Sequence, residues 1–405
     1  MVFLHSDWNP GLGDRSDMTD LDRVLKRAID AGAAAGVVAS ASSREGITYL
    51  GAAGKRRIDE DAPMTTDSIF RIFSMTKAIA GVAAATLVER GQLNLDAPVA
   101  DILPEFADLQ VLEGFEGDTP ILRPPRRQAT VRQLATHTSG LVYELWNADI
   151  QKYLAVTGRP GFLSGTKIGI SYPLVFDPGE RWDYGVGIDW LGLVIEKISG
   201  KRLDIFCRDE IFVPLGMSDT GFECPPDKRG RLASVHARQE NGSLVPITLD
   251  PPSSPEVYGA GYGLYSTARD YMTFLLMLLN EGRYNGAQIL KPATVNYILQ
   301  NHIDDLEVVN LVSVNTAVTC DAEFFPGMSK KQSLVTMINM EPARGMRAAG
   351  SHCWAGALNT YFWFDPLNGI AGVVLMQSIP FCDPLCTDVL VDFEKAVYVR
   401  MMASA

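Results

Sequence analysis

The chain has 405 residues, 47% of them hydrophobic and 21% charged, which is the composition of an ordinary globular protein with ample material for a core. Its formal net charge of −12 at pH 7 speaks against a nucleic-acid or anionic-membrane partner, because both require a basic footprint. Five scattered histidines and six cysteines (207, 224, 320, 353, 382 and 386) show neither metal-ligand spacing nor a disulfide framework, so no metal and no cofactor is expected.

Residues 1–17 read as an N-terminal extension. Met1-Val-Phe-Leu-His5 lacks the basic region and long apolar core of a secretory signal. The longest apolar runs fall short of the roughly 18 residues of a membrane span, and the expectation is a cytoplasmic protein. Leu21, Val24, Leu25, Ala28 and Ile29 are spaced as one face of a helix that ends near Gly32. Gly36-Val-Val-Ala-Ser40 and Ile47-Thr-Tyr-Leu-Gly51, joined by Ser43-Arg-Glu-Gly46, predict a hairpin. Ile72-Phe73-Ser74-Met75-Thr76-Lys77 then opens an apolar run over 78–88, closed by Glu89-Arg90 and the stop signal Gly91. A helix apolar all round is a buried one. On it Ser74 and Lys77 stand one turn apart on the same face. Ser74 lies at the end where unpaired backbone N–H groups favour a developing anion.

From about 90 to 311 helical patterns dominate, strongest over 189–198 and 268–280, with a shorter one over 292–300. The character then changes. Residues 334–340, 357–364 and 369–377 are β-branched or aromatic runs that read as strands. A last helix has Asp383 as its N-cap and Pro384 at its first position. Strands near both ends predict one antiparallel sheet flanked by helices and built from 18–89 and 312–405. Residues 90–311 form an inserted, mainly helical lobe.

The pattern S-x-x-K is short enough to arise by chance. Ser164-Gly-Thr-Lys167 matches it too, in a loop whose Gly161, Gly165 and Gly169 fix neither side chain. For Ser74 and Lys77 the plain alternative is a helix cap followed by a solvated lysine. A free lysine of pKa about 10.4 is neutral once in a few thousand molecules at pH 7, a deficit of roughly 4–5 kcal/mol. Burial against the apolar helix lowers that pKa. Tyr184, presented by Phe176-Asp-Pro-Gly-Glu-Arg-Trp-Asp-Tyr184, is a candidate to share the proton; half-buried packing is its alternative.

These motifs fall in a familiar order. Ser74-x-x-Lys77 follows Phe70-Arg-Ile-Phe73, and Leu134-Ala-Thr-His-Thr-Ser-Gly140 precedes Phe176-x-Pro-Gly with Tyr184. Pro214-Leu-Gly-Met217 and Gly261-Tyr-Gly-Leu-Tyr-Ser-Thr-Ala268 come after. The chain resembles the serine β-lactamase-like superfamily, on the branch of class C β-lactamases, family VIII carboxylesterases, D-aminopeptidases and statin side-chain acyltransferases. The resemblance implies an α+β two-lobe β-lactamase/transpeptidase-like fold with the inserted lobe all-helical and the site between the lobes. It also implies an acyl-enzyme on Ser74, with Lys77 and Tyr184 as general base and acid. By the same analogy the backbone N–H groups of Ser74 and Ala357 form the oxyanion hole.

Two departures separate the branches. Tyr184-Gly-Val186 carries no amide where the lactamases have Tyr-x-Asn, and Trp354-Ala-Gly356 stands where they have Lys-Thr-Gly. An indole in place of that cation removes attraction for an anionic substrate and supplies an apolar wall; core packing is the alternative for Trp354. Trp354 and Gly356 are therefore expected on the substrate side. Tyr143 and Trp146 either join them or pack the loop. His137 sits in the family's structural turn, and Ser218-Asp-Thr220 follows a plain connector. The expectation is a serine esterase for small, neutral, fairly hydrophobic carboxylic esters. Acyl transfer by the same intermediate is the alternative, then weak β-lactamase or D-amino-acid amidase activity, or a binding protein without catalysis.

Overall fold

The computed structural model describes residues 19–403, so the expected extension 1–17 lies outside the described residues. At its centre is a seven-stranded antiparallel sheet. Its strands are β1 (Gly36–Ser43), β2 (Gly46–Gly54), β3 (Lys330–Gln332), β4 (Met337–Asn339), β5 (Ser351–Gly356), β6 (Thr360–Asp365) and β7 (Ile370–Leu375). They lie in the order β3-β4-β5-β6-β7-β1-β2. The two ends of the chain meet where Val38 opposes Leu375 and Ser40 opposes Val373. Every residue of β6 and β7 is buried, which is why these stretches read as continuous apolar runs rather than as alternating ones.

The long helices are α1 (Asp20–Asp30), α2 (Thr76–Glu89), α3 (Gly187–Ser199), α4 (Ala268–Leu279) and α5 (Pro384–Ala403). Neighbouring residues of β6 point to opposite faces of the sheet, and they show how it is covered. Phe362 meets Tyr271 of α4 at 5.1 Å between ring centroids, while Trp363 meets Phe393 of α5 at 6.2 Å. Thr19 and Asp22 form a capping box on α1. The Asp383 side chain accepts from Leu385 N–H at 3.0 Å at the start of α5, as its sequence position indicates. Residues Thr76 to Leu87 of α2 are all buried.

The structure differs from the sequence reading in five places. Strand β5 was not expected, because Ser351-His-Cys-Trp-Ala-Gly356 lacks both alternation and a β-branched run. The strand expected at 357 begins instead at Thr360, since 357–359 turn the chain, with Asn359 at φ 58°. Of the stretch 334–340 only Met337–Asn339 pairs, the residues before it being folded into a turn where Thr336 N–H donates to Ser333 Oγ at 2.8 Å. The middle of the chain carries three short hairpins among its helices, Val111–Glu116 with Thr119–Arg123, Val235–Arg238 with Leu244–Ile247 and Arg283–Tyr284 with Ala287–Gln288. Helix α4, placed by sequence in the helical segment, packs on β1 and β7 of the sheet. Among the described residues no helix is long and apolar enough to cross a membrane, and no cluster of three or more His, Cys, Asp or Glu is arranged to hold a metal.

Candidate active site

Ser74 is set by a tightly held turn. Phe70 and Arg71 pair with Ser266 and Tyr265, and Ile72 N–H donates to Leu264 O at 3.0 Å. Phe73 then takes φ 43°, a left-handed value that a bulky L residue rarely adopts and that surrounding contacts must enforce. One such contact is Tyr271, whose hydroxyl donates to Met75 O at 2.9 Å. Strand β5 runs directly alongside, and a Cβ on Gly356 would fall 2.2 Å from Ile72 O, so only glycine fits. The chain leaves this turn through a short 3-10 segment, Phe73–Met75, straight into α2.

Lys77, in the first turn of α2, is 3% exposed. Its Nζ lies 3.1 Å from Ser74 Oγ, 3.0 Å from the Tyr143 hydroxyl and 2.7 Å from Gly261 O. It also stands over the faces of Tyr184 and Tyr143, 4.7 and 5.0 Å from the ring centroids. Burial drives the Lys77 pKa down, against the pull of the Asp189 carboxylate. Burial drives Asp189 up in turn, opposed first by the Lys77 charge. The lysine expected to need poorly solvated surroundings has them.

Tyr184 comes from the loop before α3. Asp183 N–H donates to His137 O at 2.9 Å and Tyr143 N–H donates to Tyr184 O at 3.0 Å, so the 134–140 turn carries the tyrosine. His137 takes φ 58° there, its ring 4.8 Å from that of Tyr184. Burial and the Lys77 charge hold His137 well below its usual pKa, consistent with a packed, neutral ring. The Tyr184 oxygen accepts from Trp354 Nε1 at 3.1 Å. Burial pushes its pKa up, and hydrogen bonds with Ser74 and Trp354 pull it partly back. At neutral pH this phenol keeps its proton.

A narrow cleft lies over Ser74 and Tyr184. Trp146, Leu311, Phe324, Trp354 and Phe381 wall it, with Ala355 and Ala357 at its border, and among the described residues no charged side chain lines it. Trp146 and Trp354, for which the sequence left substrate contact or packing open, both line this cleft. Tyr143 does not line the cleft; its hydroxyl is spent on Lys77. Gly356 does not line it either, because it faces Ile72 O on the nucleophile's turn. Trp354 is more than a wall, since its indole N–H supports Tyr184.

Sequence reasoning missed Asp189 and Gly261. Asp189 is fully buried and accepts from Gly261 N–H at 2.9 Å through Oδ1. The available signal was an acid at the front of the otherwise apolar segment Gly187-Ile-Asp-Trp-Leu-Gly-Leu-Val194. The second S-x-x-K lies apart from all this: Lys167 pairs with Glu105, and Ser164 Oγ hydrogen-bonds Thr166 Oγ1 at 2.8 Å.

An antiparallel sheet with helices on both faces, and a serine and a buried lysine opening the central helix beside a tyrosine, define the β-lactamase/transpeptidase-like class. The chain belongs to the Beta-lactamase family, which it matches over residues 21–381. It is 31% identical to the ML-236A carboxylate methylbutanoyltransferase of Penicillium citrinum, with 95% of each chain covered. It is 30% identical to the lovastatin esterase of Penicillium rubens, covering 95% of this chain and 99% of the esterase. Among solved structures, simvastatin synthase from Aspergillus terreus in its LovD6 mutant form superposes with a TM-score of 0.81 at 28% identity, over 95% of each chain.

Proposed function

We propose that this protein is a serine esterase that cleaves neutral, fairly hydrophobic carboxylic esters through an acyl-enzyme on Ser74. One observation carries the reading: a lysine amine shut away from water stands 3.1 Å from the serine oxygen. A neutral amine has two N–H bonds and one lone pair. Gly261 O can only accept, and Tyr143 takes the second N–H, so the lone pair is left for the Ser74 proton.

In the first half-reaction Ser74 Oγ attacks the ester carbonyl while its proton passes to Lys77. The carbonyl oxygen, now an anion, takes N–H bonds from Ser74 and Ala357; one such donor is typically worth about 3 kcal/mol. Tyr184, protonated at neutral pH, gives its proton to the leaving alkoxide and is reprotonated from the Lys77 ammonium. In the second half-reaction water loses a proton to the same pair and attacks the acyl carbon, the bond from that carbon to Ser74 Oγ breaks, and the pair returns the proton to Ser74 Oγ. Ser74 and Ala357 come from the 18–89 and 312–405 part of the chain. Tyr143, Tyr184 and Gly261 come from 90–311, which fits a site between two lobes.

The aromatic, uncharged cleft and the indole at Trp354 support a neutral, apolar substrate. The family relatives support a second reading, in which an alcohol acceptor replaces water in the second half-reaction, since one is named a methylbutanoyltransferase and another an esterase. A fluorophosphonate probe tests the shared intermediate: labelling of wild type and none of Ser74→Ala is expected. Equal labelling of both would reject the reading. p-Nitrophenyl butyrate turnover is expected to exceed nitrocefin turnover, and adding a simple alcohol measures how the acyl group partitions between acceptor and water.

A further inference from the structure

The carboxyl of Asp189 is fully buried and sits two residues into α3, where an exposed acid would suffice to stabilise a helix N-terminus. It has instead been carried inward. Oδ1 accepts from Gly261 N–H at 2.9 Å, and Gly261 O accepts from Lys77 Nζ at 2.7 Å, so one residue links acid and amine. Oδ2 has no partner with good hydrogen-bond geometry, and the Tyr143 hydroxyl is the polar group turned towards it. A Cβ on Gly261 would lie 2.8 Å from both Asp189 Oδ2 and the Tyr143 oxygen, so these two oxygens converge on a space that only a glycine leaves open. The same tyrosine oxygen is 3.0 Å from Lys77 Nζ.

We propose that Asp189 is a positioning residue that balances the charge appearing on Lys77 when it takes the Ser74 proton, acting through Gly261 and Tyr143 without touching substrate. The inference rests on the reading of Lys77 as general base. The Ser74 O–H bond breaks, an N–H bond forms on Lys77, the freed electron pair of Ser74 Oγ bonds the ester carbonyl carbon, whose oxygen takes the negative charge, and Asp189 stays anionic throughout. Before the transfer the buried group carries one negative charge; afterwards it carries none, which favours the transfer in surroundings without water. The other titratable groups that face this pair from the packed elements are Tyr143, Tyr184, His137, Glu144, Tyr172 and Tyr262. None supplies a second positive charge. Glu144 is the other acid, and it acts on Tyr143 and Asp189 and not on Lys77.

The test is the titration of Lys77 in the whole protein, read from its side-chain carbon signal in lysine-labelled NMR samples and assigned by loss of that signal in Lys77→Ala. This reads charge whether or not the protein turns over an ester. Asp189→Asn keeps an oxygen for Gly261 N–H and removes the charge. Its Lys77 midpoint is expected to fall by about one pH unit or more, and kcat to fall about tenfold or more with KM little changed. An unchanged midpoint in Asp189→Asn, or an equal shift in the control Glu144→Gln, would overturn the inference. Should Asp189→Asn fail to fold, Tyr143→Phe reads the other arm: a loss in kcat of about tenfold at constant KM supports it, and full activity overturns it. Absence of fluorophosphonate labelling in wild type would instead remove the esterase reading, with the midpoint still deciding the role of Asp189.

Discussion

The chain contains the same four-residue pattern twice, and the two copies end in opposite circumstances. Ser74 and Lys77 enter a helix buried on every side, where the amine meets the serine oxygen, a phenol and a carbonyl at 2.7–3.1 Å. Ser164 and Lys167 lie in a loop in which Gly165 turns at φ 66°, and the lysine is 38% exposed against a glutamate. Spacing is equal in both. What differs is solvent. Water stabilises an ammonium strongly, and burial drives the Lys77 pKa down. The proposed nucleophile is thus marked by the apolar residues after the motif as much as by the motif.

The widest separation between the copies is expected from alanine at the two lysines. Lys77→Ala should lower kcat/KM by about 10⁴-fold, the upper range for a positioned proton acceptor, with unchanged far-UV circular dichroism. Tyr184→Phe follows at about 10³-fold, because the leaving alkoxide loses its proton donor. Charge gives the same contrast as a pH profile. On the proposed mechanism Lys77 acts only when neutral, so kcat/KM should rise with pH. Because burial lowers its pKa, the rise should level off well below the ordinary lysine value of 10.5. A rise continuing to that value would mean that burial does not set the protonation of Lys77. Trp354→Phe comes next: it keeps an aromatic wall and deletes the N–H bond to Tyr184. A loss of about tenfold is expected from one hydrogen bond of roughly 1–1.5 kcal/mol. No change would return Trp354 to the role of a wall alone.

The sequence showed the parts of this site that depend on local order and hid those that depend on the tertiary fold. Ser74, Lys77 and Tyr184 were legible because an apolar helix and a Pro-Gly turn are written in consecutive residues. Asp189 was not, because an acid at a helix start has an ordinary local explanation, and only the approach of Gly261 from 72 residues away gives it another. Tyr143, left open between pocket and loop packing, and Gly356 both lie beside the cleft without lining it. One faces the amine and the other the backbone of Ile72, choices set by packing between distant segments. Strand β5 went unread for a related reason. Cross-strand pairing with β4 and β6 holds Ser351–Gly356 extended, although its own composition does not ask for a strand.

The smallest effect is the one that closes the comparison. The Lys167 charge meets Glu105 where both side chains are 38% exposed. A pair so screened contributes about 0–1 kcal/mol, so Lys167→Ala should move the melting temperature by about 2 °C or less. Ester turnover should stay within about twofold of wild type. Ser164→Ala should still label fully with the fluorophosphonate, since Ser164 Oγ is engaged by Thr166 Oγ1. Suppose instead that Lys167→Ala cut turnover by orders of magnitude while Lys77→Ala did not. Then exposure would not distinguish a catalytic lysine from a solvated one in this chain, and the assignment of the nucleophile would have to move to Ser164.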